Sequence, residues 1–491
     1  VIRHRAFAAL AAAILLSGCA ATHKAPIEAG SIMSPWPSHL PGHPSEIAIP
    51  PLEFTPPEPE IRTLANGVTV YYFRDSTLPL IDFTLYFPYG TMDEPSRVTG
   101  IGSILGTVWR EGGTATNSGE QISEELEFLS ASLEVSVSER TTSLSASGHS
   151  KDTDRLLALL ADLTLNPLLP EDRLEQSRAR ALELVRRRLD RPDALASSGL
   201  NRAMYGDWHP LGRESTAETI GAITRDDLAA MHRRIVGPSG ARLAVVGDFE
   251  PEAMQARLES LFGTMRNDGQ KQWKEPTETA TVTPGWYLID RDAAQTQIRF
   301  GQLGLPRRHP DWFAVQVMNE IFGTGGFNSR LMQEIRSRRG LTYGVGASLS
   351  EGDYGGRFIL ASSTKNESAR ELVDVAIAEM RRIMAEPVSQ AELDAAKKSM
   401  TNAWVFSYDD PGQIVTSRLL EDMFRNPPER RTEYLAGIAA VTAEDVQRVA
   451  RTYLKPDQLV VMLVGPEAAL RPQFEDKGLR LFAPWPTEPA P

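Results

Sequence analysis

A segment of 25 residues near the middle of the chain returns, without a gap, near its end. Ile223-Thr-Arg-Asp-Asp-Leu228 lines up with Val441-Thr-Ala-Glu-Asp-Val446, Pro238 with Pro456, and Leu243-Ala-Val-Val-Gly247 with Val461-Met-Leu-Val-Gly465, all at an offset of 218. Upstream, Asp190, Pro192, Leu200 and Met204 pair with Asp409, Pro411, Leu419 and Met423 at an offset of 219. A chain of 491 residues has room for two such units of roughly 200 residues each. Any fold proposed for it must therefore be built twice.

Each unit mixes two periodicities. Asn66 to Phe73 and Leu80 to Phe87 are rich in β-branched and aromatic residues, and Leu133, Val135 and Val137 alternate with polar neighbours. Such strands predict a sheet with one wet face. The spacing of apolar residues predicts helices over Ile122 to Leu129, Asp152 to Leu163, Leu174 to Arg187 and Asp226 to Arg234, the last capped by Thr224. Strands and helices in runs rather than strict alternation favour an α+β class, with two homologous α/β sandwich domains of mixed or antiparallel sheet covered by helices. We place the domains at 61–266 and 285–470, joined by a polar linker at 267–284 and followed by a tail at 471–491.

The start of the chain has a different character. Arg3 and Arg5 precede an apolar run that ends in Leu16-Ser17-Gly18-Cys19, the pattern of a cleaved secretory signal over 1–18 with a lipidation site at Cys19. Cys19 is the sole cysteine, so an internal disulfide is excluded. Ala20 at the next position is not acidic, which favours the outer membrane, with the body facing the periplasm of a bacterium and held by acyl chains alone. Residues 19–60 carry ten of the 34 prolines between Ala20 and Glu60 and read as an extended tether. The formal net charge of −12 argues against nucleic acid as a partner.

Chemistry concentrates in the second unit. Trp312 to Phe322 reads as a helix, Gly323-Thr-Gly-Gly326 as a flexible break, Ser329 to Arg338 as a second helix ended by Gly340, and Leu341 onward as a strand. Arg336 then sits on the last helical turn, and Tyr343, seven residues on, enters the sheet edge. A helix-terminal arginine and a strand tyrosine are ordinary structural choices. Together at a cleft they also offer a clamp on a peptide carbonyl and a hydrogen-bond donor to a developing oxyanion.

The segment GTGGFNSRLMQEIRSRRGLTYGV (323–345), taken with NGVTVYYF and the His209-Pro-Leu-Gly212 of the first unit, resembles the insulinase/pitrilysin family of zinc peptidases, over about Ile61 to Glu467. The resemblance implies that the two domains form half of a clamshell around a peptide-sized chamber. It also implies that Arg336 and Tyr343 reach substrate from the non-metal side, and that Gly323, Gly325 and Gly326 form a substrate-binding glycine-rich loop.

That family binds zinc through H-x-x-E-H, whose two histidines lie one helical turn apart beside a water-activating glutamate. The matching segment here is GIGSILGTVWREGGT (100–114), with Ser103, Gly106 and Thr107 at the three positions. None can serve. No histidine occurs between His43 and His149, and His39 and His43, the one pair four apart, flank Pro41 in the tether. Glu175 and Glu183 fall near the family's third ligand but read as a solvated helix face, and His209 as a loop packing or capping residue.

The expectation is a chain that binds no cofactor itself and works with an HxxEH-bearing sister subunit that holds the zinc, acting on peptide or unfolded protein. The alternative is a non-catalytic peptide-binding or assembly scaffold at the outer membrane.

Overall fold

The computed structural model describes residues 54–265 and 282–483. The signal segment, Cys19, His39, His43 and most of the expected linker lie outside the described residues.

The first sheet contains β1 (Glu60–Thr63), β2 (Thr69–Arg74), β3 (Leu80–Phe87), β4 (Ser132–Val137), β5 (Thr142–His149) and β6 (Arg242–Gly247), in the order β1-β2-β6-β3-β5-β4. β7 (Gly285–Asp290), β8 (Gln295–Leu303), β10 (Val345–Leu349), β12 (Arg357–Lys365), β13 (Val460–Gly465) and β14 (Arg480–Leu481) form the second, ordered β10-β12-β8-β13-β7-β14. A short parallel pair, β9 (Leu305–Pro306) with β11 (Glu351–Gly352), stands apart.

Read from opposite edges, β2-β6-β3-β5-β4 and β7-β13-β8-β12-β10 are one topology. In each, the pair β2 with β6, or β7 with β13, is parallel and the other pairs antiparallel. The duplication read at an offset of 218 is thus a duplication of structure. Even the caps repeat: Thr224 accepts the Asp227 N–H and Thr442 the Asp445 N–H, starting the Arg225–Ile235 and Ala443–Tyr453 helices. Caps of this kind each contribute about 1 kcal/mol.

Alternation in β3 buries Ile81, Phe83, Leu85 and Phe87 beneath the helices of the first half. The opposite face was expected to be wet, and at the sheet centre it is not. Leu195, Leu200 and Met204 of the Pro192–Tyr205 helix, which belongs to the first half, pack on Tyr287, Ile289, Val460 and Met462 of the second sheet. Reciprocally, Val415, Leu419 and Met423 of the Pro411–Met423 helix pack on Tyr71, Ala244 and Val246 of the first.

The two halves therefore exchange a helix. Burial on both faces explains why β6 and β13 read as continuous apolar runs, with every one of the twelve residues but Arg242 buried. The repeated Leu200 and Leu419, and Met204 and Met423, are the contacts that make the exchange. Tyr71 also donates its hydroxyl to Asp422 at 2.7 Å. Buried Asp353 of the second half takes Arg140 of the first and Arg307 of its own.

Residues 471–482, read as part of a tail, continue the second domain: Phe474 is fully buried and the Phe482 N–H donates to the Leu288 carbonyl at 2.8 Å. Among the described residues no helix is long and apolar enough to cross a membrane.

Candidate functional site

Arg336 lies in the Met332–Arg338 turn, whose winding is wider than that of an α-helix. Gly340, at φ +63°, ends the turn. The next residues do not enter the sheet as expected. Instead they cross to it, fastened from below: Thr342 donates its hydroxyl to the Ser363 carbonyl at 2.7 Å, Thr364 to the Leu341 carbonyl at 2.5 Å, and Ser362 to the Gly344 carbonyl at 2.9 Å. With both neighbours pinned to β12, Tyr343 is turned outward and is 86% exposed, two residues before the edge strand β10 begins.

The arginine and the tyrosine do meet. The Arg336 guanidinium carbon lies 4.7 Å from the Tyr343 ring centroid and 4.4 Å from that of Phe327, itself 59% exposed. Two exposed aromatic rings thus flank one cation, each such contact contributing about 0.5–1 kcal/mol.

The other arginines of this run are paired. Arg330 holds Glu392 at 2.7 Å, while Arg338 and Arg339 hold Glu334 at 2.7 and 3.0 Å. Among the described residues, Arg336 has no carboxylate partner and its guanidinium N–H groups make no hydrogen bond. Its guanidinium N–H groups therefore remain available to an acceptor from outside.

Sequence reasoning passed over Phe327. Its signal was there: a large aromatic between Gly326 and Asn328, outside any apolar periodicity.

The glycines beside it do not form the flexible break expected. The Trp312–Asn319 helix runs on through a wide turn at Glu320–Thr324, so Gly323 is helical and buried rather than part of a flexible break. A Cβ there would lie 2.5 Å from the Ala347 carbonyl oxygen on β10, and one at Gly325 would lie 2.4 Å from that of Glu320. Close packing selects both. Only Gly326, at φ +55°, uses the left-handed region, in a short turn over Gly326–Asn328.

In the first half, the segment matched to the metal motif is the Ile101–Glu111 helix. Ser103 is exposed, Thr107 is half-buried and donates its hydroxyl to the Ser103 carbonyl at 3.2 Å, and Gly106 lies against β4. A hydroxyl, no side chain and a hydroxyl do not fit zinc, which takes imidazole, thiolate or carboxylate donors. Among the described residues no cluster of three histidines, cysteines or acids has metal-ligating geometry.

Glu183 pairs with Arg187 at 2.6 Å and Glu175 with Arg178, both along their own helix. His209 is fully buried, accepting the Leu211 N–H at 3.1 Å, with its ring 5.0 Å from that of Tyr205 and 4.5 Å from that of Tyr354. Burial, and then Arg213, holds its pKa below the usual histidine range.

Fold and site together define a duplicated α+β body whose three metal-motif positions carry no metal donor. Residues 70–215 match the family model described as Insulinase (Peptidase family M16), and residues 222–400 the one described as Peptidase M16 inactive domain. The chain belongs to the insulinase, or M16, peptidase family. An uncharacterized zinc protease of Mycobacterium bovis is 28% identical over 84% of this chain and 94% of its own length. A solved peptidase M16 inactive domain from Pseudomonas fluorescens is similar at 25% identity and a TM-score of 0.74, covering 83% of this chain and 98% of that one. The periplasmic protease PqqL of Escherichia coli matches at 15% identity and a TM-score of 0.71, over 86% of this chain but 48% of that one.

Proposed function

We propose that this chain is the metal-free subunit of a two-chain peptidase, and that a sister chain bearing H-x-x-E-H supplies the zinc and the general base. Arg336 and Tyr343 then grip the peptide from this side, the guanidinium edge on a backbone carbonyl and the phenol toward the oxygen that gains charge during cleavage. The observation that carries the reading is the one arginine of the 330–339 run without a carboxylate partner, half-buried against two aromatic rings, in a chain whose metal-motif positions hold Ser103, Gly106 and Thr107. Support also comes from the protease that is about twice the matched length, which has room for two such bodies in one chain.

In this reading the two domains close one half of a clamshell, Gly326 turns the loop against which the peptide lies while close packing at Gly323 and Gly325 seats that loop, and acylated Cys19 holds the assembly at the outer membrane, facing the periplasm. The test is reconstitution with the sister chain. Tyr343→Phe should lower peptide turnover by about 10² to 10³, the usual loss when an oxyanion donor is removed. An unchanged rate would remove Tyr343 from the reaction. Peptide binding with no partner-dependent cleavage would make the chain a scaffold.

A further inference from the structure

Beside the glycine turn lies a cavity of about 320 Å³. Glu320, Gly325 and Asn328 form one wall, and Ala391, Ala395 and Ser399 of the Gln390–Val405 helix the other. Small side chains at Ala391 and Ala395, one helical turn apart, keep the space open. The volume is within the range of ligand sites and ample for one long side chain.

Its two carboxylates are unlike. Glu392 is spent within the fold: Arg330 reaches its two oxygens at 2.7 and 3.1 Å, and the Ser389 N–H and hydroxyl donate to it as well. Glu320 accepts only two hydroxyls, from Ser399 at 2.8 Å and Thr324 at 3.2 Å. Among the described residues it has no cationic partner. Two neutral donors fix the direction of this carboxylate without neutralising it, so its charge is presented to the cavity ready-oriented.

We infer that this cavity is a subsite for a cationic group of the bound peptide: a lysine or arginine side chain, or a peptide amino terminus. The inference rests on the proposed function, because the cavity shares a wall with the grip. Gly325 and Asn328 line it while Phe327, between them, covers Arg336. A peptide held at Arg336 and Tyr343 passes beside the opening. The net charge of −12 adds a field that favours cationic ligands.

Fluorescence anisotropy of C-terminally labelled peptides on the whole chain tests this. The probes are neutral peptides of about ten residues, N-acetylated or free, with one arginine or its uncharged isostere citrulline walked along the sequence. We expect one arginine position, or the free terminus, to tighten binding about fivefold over the acetylated citrulline peptide, a gain that shrinks with salt. Which of the two gains affinity identifies the source of the cation.

Glu320→Gln should erase the preference and leave the neutral peptide's affinity unchanged. Ala395→Leu should erase it too, by filling the space with the charge intact, and thermal melts of both variants check folding. A preference that survives either change, or wild-type protein indifferent to peptide charge while Arg336→Ala still weakens binding, overturns the subsite alone. Peptide binding that is absent, or indifferent to Arg336, overturns the grip and the subsite together.

Discussion

The two halves share strand order, caps and an exchanged helix, yet the segments matched to the family's two motifs differ in what they turn outward. In the first half, the Ile101–Glu111 helix is retained as packing: Ile104, Leu105, Val108 and Trp109 are buried, while its outward positions hold Ser103 and Thr107. In the second, Met332–Arg338 is also well packed through Met332 and Ile335, but its outward side holds an arginine left unpaired between two rings. Packing preserves a scaffold whether or not it still serves a reaction. A half-buried cation with no carboxylate partner, set against two exposed aromatic rings, is the feature on which the proposed grip rests.

The contrast can be broken in several places. Its largest effect is the hundred- to thousand-fold loss of turnover expected for Tyr343→Phe, which should leave the melting temperature in place because the residue is exposed. Next come the exchanged helices. Leu419→Ala and Leu200→Ala each empty a fully packed position and should cost about 2–4 kcal/mol in urea denaturation. Similar costs at both would establish the exchange as symmetric in energy as well as in geometry, and a negligible cost at either would show that half to be independent.

Acid should then tell the halves apart. His232 donates to the Thr164 carbonyl at 2.9 Å and lies edge-on to Trp109, and burial holds its pKa down to about 4. The equivalent residue of the second half is Ala450. A histidine whose folded pKa is depressed binds fewer protons than in the unfolded chain. Its share of stability is therefore present above about pH 6.5 and is lost as pH falls toward 4. Between pH 7 and pH 5 the loss should be about 2 kcal/mol, reported by probes in the first half and flattened in His232→Gln.

Smallest are the glycines. Gly323→Ala forces a contact with backbone and should destabilise by about 1–3 kcal/mol. Gly106→Ala meets only ordinary contacts, the nearest at 3.6 Å from Val137, and should stabilise the helix by about 0.5–1 kcal/mol. Opposite signs would mark the glycine loop as shaped for close packing and the old motif position as spare. A Gly106→Ala change that destabilises would contradict this.

Much of the fold could be read in advance because its signals are local. Thr224 and Thr442 announce helix starts, alternation in β3 announces its buried face, and identity at a fixed offset announces the duplication. The exchanged helices escaped because Leu195, Leu200 and Met204 state that a face is apolar but not which sheet will cover it. At the site, Arg330, Arg336, Arg338 and Arg339 look alike in sequence. They differ only because Glu392 and Glu334 come within reach of the other three. Tyr343 was placed in the strand because nothing in its neighbourhood reveals that Thr342 and Gly344 are tied down by Ser362, Ser363 and Thr364.

By itself the sequence determined that one α+β unit is used twice, that Ser103, Gly106 and Thr107 at the three metal-motif positions offer no imidazole or carboxylate, and that an arginine and a tyrosine stand seven apart. These follow from residue identity and spacing, which no folding event alters. Tertiary structure decided which helix covers which sheet, which arginine remains unpaired, and that Phe327 completes the stack. Those outcomes depend on side chains that are far apart along the chain and become neighbours only once the sheets have packed.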